Sequence, residues 1–426
     1  MAATNRVRLL ARGMAQAGAH VHVLCMQTSE LPATIENRAT RGEWHGVTFE
    51  YTCGTTVRRS SFLMRRVIEV RGWLTGAFRL VQLRRAGRMD GVYLWFTCQR
   101  AELRRALFVG LLRLLGVPVV MELNERPWPL RADRRVAERL VSPLACMDGV
   151  VSISSYLTEW ARTEAVRRRR PLEIVKVPIL VDMAEQPHPR ERARREPKER
   201  EPVLVFAGAP EYDETVDFIV RAMEHVWRRF PACRLVITGA RPGDPAAGSL
   251  RRRLMADGAA GDDRVHLSGY LSRDELLDLY QEAWALLIPL FDDVRSTARF
   301  PTKIGEYLAS ARPIVSTSVG EIARWFTDGE DAFLSPAGDA EQYGLKICAV
   351  LADEGLGDRV GAAGREFALA HFDYALYGRP LVEAFERVRR DAQGVGRRRR
   401  EARIGQAQGA SHTRSGPMEG QERHGR

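Results

Sequence analysis

Late in the sequence, RFPTKIGEYLASARPIV runs from Arg299 to Val315. Pro301 suits the first turn of a helix, where its missing N–H is not needed. Thr302, Lys303 and Ile304 then offer backbone amides to an anion, and Lys303 adds a full charge beside them. Gly305 has no side chain to obstruct close approach. Glu306 stands three residues after Lys303, on nearly the same helical face. A carboxylate there repels phosphate but suits the vicinal hydroxyls of a ribose, because an ionised carboxylate only accepts hydrogen bonds. Phosphate at Thr302–Ile304 and a pentose at Glu306 together describe a nucleotide. From spacing alone, a plain surface ion pair between Lys303 and Glu306 reads equally well.

Such a helix needs a sheet to aim it. Short β-branched runs alternate with amphipathic helical patterns along the chain. In the first half VHVL near Val21, VTFEYT near Val47, GVYLWF near Gly91, VPVVMEL near Val117 and GVVSIS near Gly149 read as strands, with helices such as Arg100–Leu115 between them. In the second half the strands are VLVFAG, RLVITG, RVHLSG, ALLIP, PIVST and AFLSP. The helix Glu214–Phe230 has Ile219, Ala222, Met223, Val226 and Phe230 on one face. Strands apolar on both faces, alternating with helices, imply parallel sheets covered on both sides. The expected class is therefore α/β with two doubly wound, Rossmann-like domains, at 1–183 and 203–372. A charged linker or surface excursion at 184–202 separates them, a closing helix follows at 373–390, and a disordered basic tail at 391–426. In open parallel sheets ligands bind beyond the carboxyl ends of the strands, and the Arg299–Val315 stretch follows one of them. The chain opens with a helix, AATNRVRLLARGMAQ, leading straight into a strand. The strand and glycine-rich turn expected before it are absent, which reads as a missing upstream segment or a shortened domain.

Composition narrows the classes. At 426 residues with a 45% apolar share, two ordinary cores are expected. The net charge of +11 is almost all arginine, since lysine occurs only at Lys176, Lys198, Lys303 and Lys346. Runs at Arg167–Arg170 and Arg397–Arg400 could meet nucleic acid, but no recognised module accompanies them and no specific nucleic-acid partner is expected. The six cysteines have no CxxC pair or histidine spacing, which points away from a metal site and towards a reducing cytoplasm. The segment Phe62–Arg88 interleaves aromatic and aliphatic residues with arginines. It reads either as a domain helix with arginines in water or as a helix lying on an anionic membrane surface.

The series Pro301-Thr302-Lys303…Glu306-Tyr307-Leu308-Ala309…Pro313-Ile314-Val315 resembles the nucleotide-binding half of retaining glycosyltransferases of family 4, the group 1 type, in a Pro-x-Lys variety. The likeness extends over SGYLSRDELLDLYQEAWALLIPLF, DGEDAFLSPAGDAEQ, LVFAGAPEYDETVDFIVRAM and DGVVSISSYLTEW, and more weakly over GMAQAGAHVHVL. It implies two Rossmann-like domains facing across a cleft, the GT-B fold, and retaining, metal-independent hexosyl transfer from a nucleotide sugar, with no cofactor. The acceptor would be a polysaccharide, a lipid-linked saccharide or a small molecule. The setting would be cytoplasmic, with peripheral contact at the inner face of the membrane as an option. Carried over by position, the resemblance puts Glu306 on the ribose and Thr302, Lys303 and Ile304 by the diphosphate. Gly269, Tyr270 and Leu271 fall on the turn under the base, and Glu125 near a sugar. The catalytic candidates are Lys303, Glu306 and Glu125.

Departures matter as much. The family's first glutamate falls on Ala298, and its usual histidine before Glu125 is Asn124. In GAPEYDETVD, where cations commonly meet the diphosphate, stand Glu211, Asp213 and Glu214. Lys303, with Arg295 or Arg299, must then supply the charge. Ala311 occupies a position that is commonly glycine. These losses favour the alternative of a non-catalytic sugar-nucleotide-binding or scaffold protein on the same fold.

Overall fold

Five-residue β-branched segments flanked by helices leave the chain few options other than parallel sheets. The computed structural model describes residues 2–32, 35–95, 102–125, 143–167, 169, 171–187, 189, 201–208, 213–239, 248–249 and 264–391. Most of the expected linker, nearly all of the tail, Cys98 and Glu211 lie outside these residues.

The first half runs α1 (Ala2–Gln16), β1 (Val21–Cys25), β2 (Arg41–Trp44), β3 (Val47–Tyr51) and α2 (Phe62–Arg85). It continues with β4 (Val92–Leu94), α3 (Glu102–Leu114), β5 (Val119–Leu123), β6 (Gly149–Ser152), α4 (Ser155–Arg167) and β7 (Glu173–Lys176). Its strands form two sheets. One is β1-β3-β2, with β2 antiparallel; the other is the parallel set β4-β5-β6-β7. Among the described residues no ladder joins β1 to β4. The same helical layers nevertheless cover both sheets. Val21 and Tyr93 pack on the α1 cluster around Leu9, Leu10 and Met14, while Leu24 and Val92 pack on the opposite cluster around Leu80 and Phe108.

The second half begins with β8 (Val203–Ala207), α5 (Asp213–Arg229), β9 (Arg234–Thr238), β10 (Val265–Gly269) and α6 (Arg273–Glu282). Next come β11 (Ala285–Ile288), α7 (Val294–Ala298), α8 (Lys303–Ala309), β12 (Ile314–Thr317), α9 (Ile322–Trp325) and β13 (Phe333–Ser335). Helices α10 (Ala340–Ala352) and α11 (Glu354–His371) follow, and a last helix, α12, covers 375–391. The six strands are all parallel, in the order β10-β9-β8-β11-β12-β13. The winding direction reverses between β8 and β11. At such a switch point the connections leave on opposite sides and open a crevice at the strands' carboxyl ends.

The halves share one apolar core, in which Ile153, Leu157, Ile179 and Val181 pack with Ala298, Phe300, Ile304 and Phe372. The chain crosses between halves at Val181, whose N–H donates to Phe372 O (2.9 Å) and whose carbonyl accepts from Tyr374 N (3.1 Å). Helix α12 then returns to the first half and crosses α1 where Gly378 meets Gly13; a Cβ on Gly378 would overlap the Gly13 carbonyl. A polar tie completes the contact. Glu321, buried at the start of α9, accepts from Lys176 Nζ (2.7 Å), Ser155 N (2.6 Å) and Trp325 Nε1 (2.9 Å). Burial alone would raise this carboxyl, but those donors outweigh it and hold it below its ordinary value. No helix among the described residues is long and apolar enough to cross a membrane.

Helix α1 is anchored by a buried ion pair. Arg6 Nε reaches Glu122 Oε1 at 2.8 Å, and its other nitrogens donate to the Val177 and Pro178 carbonyls. Tyr93 donates to the second oxygen of Glu122. Every charged atom of the pair is met, which is the condition under which such a pair can be buried. Removing one partner strands the other, so Arg6→Ala is expected to cost about 3–5 kcal/mol in chemical denaturation. The double variant Arg6→Met/Glu122→Gln is expected to recover much of that loss, and equal losses would contradict the pairing. Ala311 holds φ of +56° after α8, a conformation that costs an L side chain energy. Ala311→Gly is expected to raise stability by about 0.5–1 kcal/mol in the same measurement.

Candidate functional site

Helix α8 starts at the crevice and grips the end of β8. Lys303 Nζ donates to Ala207 O, and Ala207 N–H donates to the Tyr307 hydroxyl oxygen at 2.9 Å. Residues i and i+4 of one helix face thus hold both backbone polar groups of the last residue of β8. Tyr307 is fully buried and stacks edge-on against Tyr280 of α6, with ring centroids 4.9 Å apart. Lys303 is half-buried. Desolvation lowers its pKa from 10.5 to about 8, with Glu306 pulling the other way.

Glu306 takes other partners. Its Oε1 accepts from Arg273 Nη1 at 3.2 Å and, at the limit of a hydrogen bond, from Asn5 Nδ2 at 3.5 Å. The sequence pattern suggested a Lys303–Glu306 ion pair as one option. Instead the two side chains diverge, the lysine to the switch point and the glutamate towards α6 and α1. Asn5 belongs to the first half, so Glu306 stands where the two halves meet. Arg273 opens α6, whose start is fixed by a capping box: Glu275 N donates to Ser272 Oγ (3.3 Å) and Ser272 N to Glu275 Oε2 (2.8 Å).

Two expectations about the helix start need correction. The Ile304 amide is engaged by Pro301 O at 3.1 Å and is not open to an anion. Gly305 makes room for protein rather than ligand, since a Cβ there would lie 3.2 Å from the Val181 side chain and 3.4 Å from Leu180 O. Helix α8 is also only seven residues long, so little dipole adds to the charge of Lys303. Thr302 occupies the N-cap in helical conformation without a side-chain capping bond.

The remaining candidates are distributed around this centre. Gly269 ends β10 at φ +75°, with its carbonyl accepting from Gly239 N and Thr238 Oγ1, each at 2.8 Å. Half-buried Tyr270 and Leu271 lead from it into α6, so the turn and Glu306 are linked through Arg273. Arg299 is half-buried just before Phe300, and Arg295 is exposed on α7. Glu125 is exposed just past the carboxyl end of β5, and among the described residues no hydrogen bond or ion pair joins it to Lys303 or Glu306. Ala298 is buried, and its carbonyl accepts from Ser154 Oγ at 2.6 Å. A neighbouring cavity of about 390 Å³ opens between α4 and the second half, lined by Tyr156, Trp160, Thr297, Gly320, Glu321 and Arg324 among others. Sequence reading missed Arg273, Asn5 and the cavity. Arg273, two residues after the Gly-Tyr-Leu turn, was the one with a signal available.

Residues 201–353, which hold this crevice, match the family described as Glycosyl transferases group 1. Across 94% of this chain, the fold superposes with TM-score 0.59 on 93% of a sucrose-phosphate synthase from Thermosynechococcus elongatus, at 17% identity. The fold is GT-B. Another GT-B structure, Anabaena HepE in complex with UDP and glucose, superposes over 80% of this chain and 87% of its own, with TM-score 0.55 and 14% identity. In sequence, 289 residues are 22% identical to the alpha-D-kanosaminyltransferase of Streptomyces kanamyceticus, covering 65% of this chain and 72% of that one. D-inositol 3-phosphate glycosyltransferases of Xylanimonas cellulosilytica and Kribbella flavida align at 27% and 24% identity over 38% and 62% of this chain. Those alignments span only 37% and 60% of the two relatives' own length.

The lowered pKa gives the crevice a pH signature. Below pH 8 Lys303 is charged and can pair with a diphosphate; above it, binding must first take up a proton. Affinity for a nucleoside diphosphate is therefore expected to be level near neutrality and to fall by up to about tenfold per unit above pH 8 in calorimetric titration. A profile flat beyond pH 9 would contradict a diphosphate contact at Lys303. The folded pKa lies below the unfolded one, so the unliganded protein should gain stability as pH rises from 8 to 10.5.

Proposed function

We propose that this protein is a glycosyltransferase. It moves a hexosyl group from a nucleotide sugar to a carbohydrate or lipid-linked acceptor, with retention and without a metal or other cofactor. The observation that carries this reading is the placing of Lys303 at the switch point of the second-half sheet, one turn from Glu306, within the segment that matches group 1 glycosyltransferases. Lys303 lies where a diphosphate bound beyond β8 would bring its charge. Glu306 would receive the ribose hydroxyls by releasing or sharing its contact with Arg273.

In the reaction, the bond from the anomeric carbon to the diphosphate oxygen breaks as the acceptor oxygen bonds to that carbon on the same face. The acceptor proton passes to the departing phosphate. Negative charge gathers on the leaving group, so a cation held in place before the reaction stabilises the transition state more than the ground state. Thr302, Arg295 and Arg299 are the further phosphate candidates, the Gly269–Leu271 turn is the platform for the base, and Glu125 is a polar group towards the sugars. Polysaccharide or glycolipid assembly in the cytoplasm is the setting that this chemistry fits.

The alternative, a non-catalytic sugar-nucleotide-binding or scaffold protein, is favoured by Ala298 in place of a glutamate and by Arg273 already occupying Glu306. Two measurements separate the readings. A thermal-shift screen with UDP, GDP and ADP and their sugars establishes whether a nucleotide site exists, and release of sugar from the donor that binds distinguishes enzyme from binder. Lys303→Ala is expected to lower turnover by a factor of about 10²–10³ with the fold intact by circular dichroism, and full activity would remove the phosphate role. Glu306→Ala is expected to weaken nucleotide binding in calorimetry, and unchanged affinity would remove the ribose contact.

A further inference from the structure

Helix α2 is held by one face and turns an apolar face outward. On the inner side Gly72 and Gly76 lie against Met26, so closely that a Cβ on Gly72 would overlap the Met26 carbonyl. Leu80 is buried, and Arg79 Nε reaches the buried Glu50 Oε2 at 3.1 Å. On the opposite side Leu63, Val67, Val70, Leu74 and Phe78 follow one another at spacings of three and four, which aligns them in a single stripe. They are 74%, 56%, 51%, 68% and 62% exposed, and Phe62 adds another ring at 63%. Single exposed leucines are ordinary on protein surfaces, but five in register along one helix are a surface waiting to be covered.

The charge around the stripe says by what. Between Arg58 and Arg88 the sequence has nine arginines and one carboxylate, Glu69. Glu69 pairs locally with Arg66 at 2.7 Å. Arg58 and Arg59 are exposed in the approach to the helix, and Arg71, Arg84 and Arg85 are exposed along it. An apolar stripe between guanidinium groups, on a helix that cannot span a bilayer, is the pattern of an element lying in the plane of an anionic membrane, the apolar residues among the acyl chains and the arginines at the phosphates.

We propose that α2 docks this protein on an anionic lipid surface. Helices that follow strands of a parallel sheet begin at the strands' carboxyl ends, the side of the cleft. Gly72 meets Met26 just past the end of β1, so the ten residues of α2 before it extend about 15 Å beyond the sheet. That overhang carries Phe62, Leu63, Val67 and Val70. Docking through it brings the mouth of the cleft to the lipid headgroups, which selects an acceptor presented from the membrane. The docking stands on α2 alone; the choice of acceptor rests on the transferase reading above.

The test uses the full chain with vesicles of phosphatidylcholine, with and without phosphatidylglycerol. Co-sedimentation at low salt is expected with the anionic vesicles, and not with phosphatidylcholine alone. Leu63→Ser/Leu74→Ser, whose side chains are exposed, is expected to weaken binding by about tenfold or more. Arg58→Gln/Arg59→Gln is expected to weaken it with a reduced dependence on salt. Absence of binding at low salt, or equal binding by the Leu63→Ser/Leu74→Ser protein, would overturn the proposal. So would a wild-type dimer in sedimentation velocity that the same substitutions dissociate, because the stripe would then be covered by a second copy. A thermal shift with UDP, GDP and ADP on the same samples reports the nucleotide site separately. Lost vesicle binding with a retained nucleotide shift defeats the docking alone, and the reverse defeats the transferase reading alone.

Discussion

The carboxyl end of β8 is held from two directions by a single helix. Lys303 takes the carbonyl of Ala207 and Tyr307 receives its amide, and from this grip the geometry of the cleft follows. The strand beside the switch point ends at a fixed place, the lysine charge is set at the crevice, and the helix is rotated so that Glu306 faces the other half of the molecule. Desolvation lowers the lysine's proton affinity without abolishing its charge near neutrality. A side chain in that state binds an anion more strongly than a fully hydrated surface lysine, because less water has to be stripped away at the moment of contact.

Much of this was legible in the sequence. Strands in a parallel sheet are covered on both faces, so they appear as short uninterrupted β-branched runs, and the runs at Val203, Arg234, Val265, Ala285, Ile314 and Phe333 all became strands. The apolar stripe of α5 was equally plain, because helical spacing is a local property. Lys303 and Glu306 could be singled out for the same reason. Their partners could not. Arg273, Asn5 and Ala207 lie 33, 301 and 96 residues away along the chain, and no local pattern encodes which distant atom will meet a carboxylate. Gly305 shows the limit most clearly. Its lack of a side chain suggests space for a ligand, yet the space is filled by Leu180 and Val181.

Buried charge was the other blind spot. The pairs Arg6–Glu122 and Lys176–Glu321 use residues that look like surface charges in the sequence, yet both carboxylates are almost wholly enclosed. Each pair is completed by further donors or acceptors from other elements, the arrangement under which such groups leave water. Both tie distant segments together, α1 to the β4–β7 sheet in one case and β7 to α9 in the other. The two sheets of the first half are covered by the same helices, α1 and α2, although among the described residues no ladder joins β1 to β4.

Helix α8 rests directly on the segment by which the backbone passes from one half to the other, with Gly305 seated on Leu180 and Val181 and the return pass at Phe372–Tyr374 bonded alongside. The lysine and the glutamate are therefore mounted on the pivot itself rather than on one of the leaves. Were the leaves to swing, Lys303 and Ala207 would stay together near the axis.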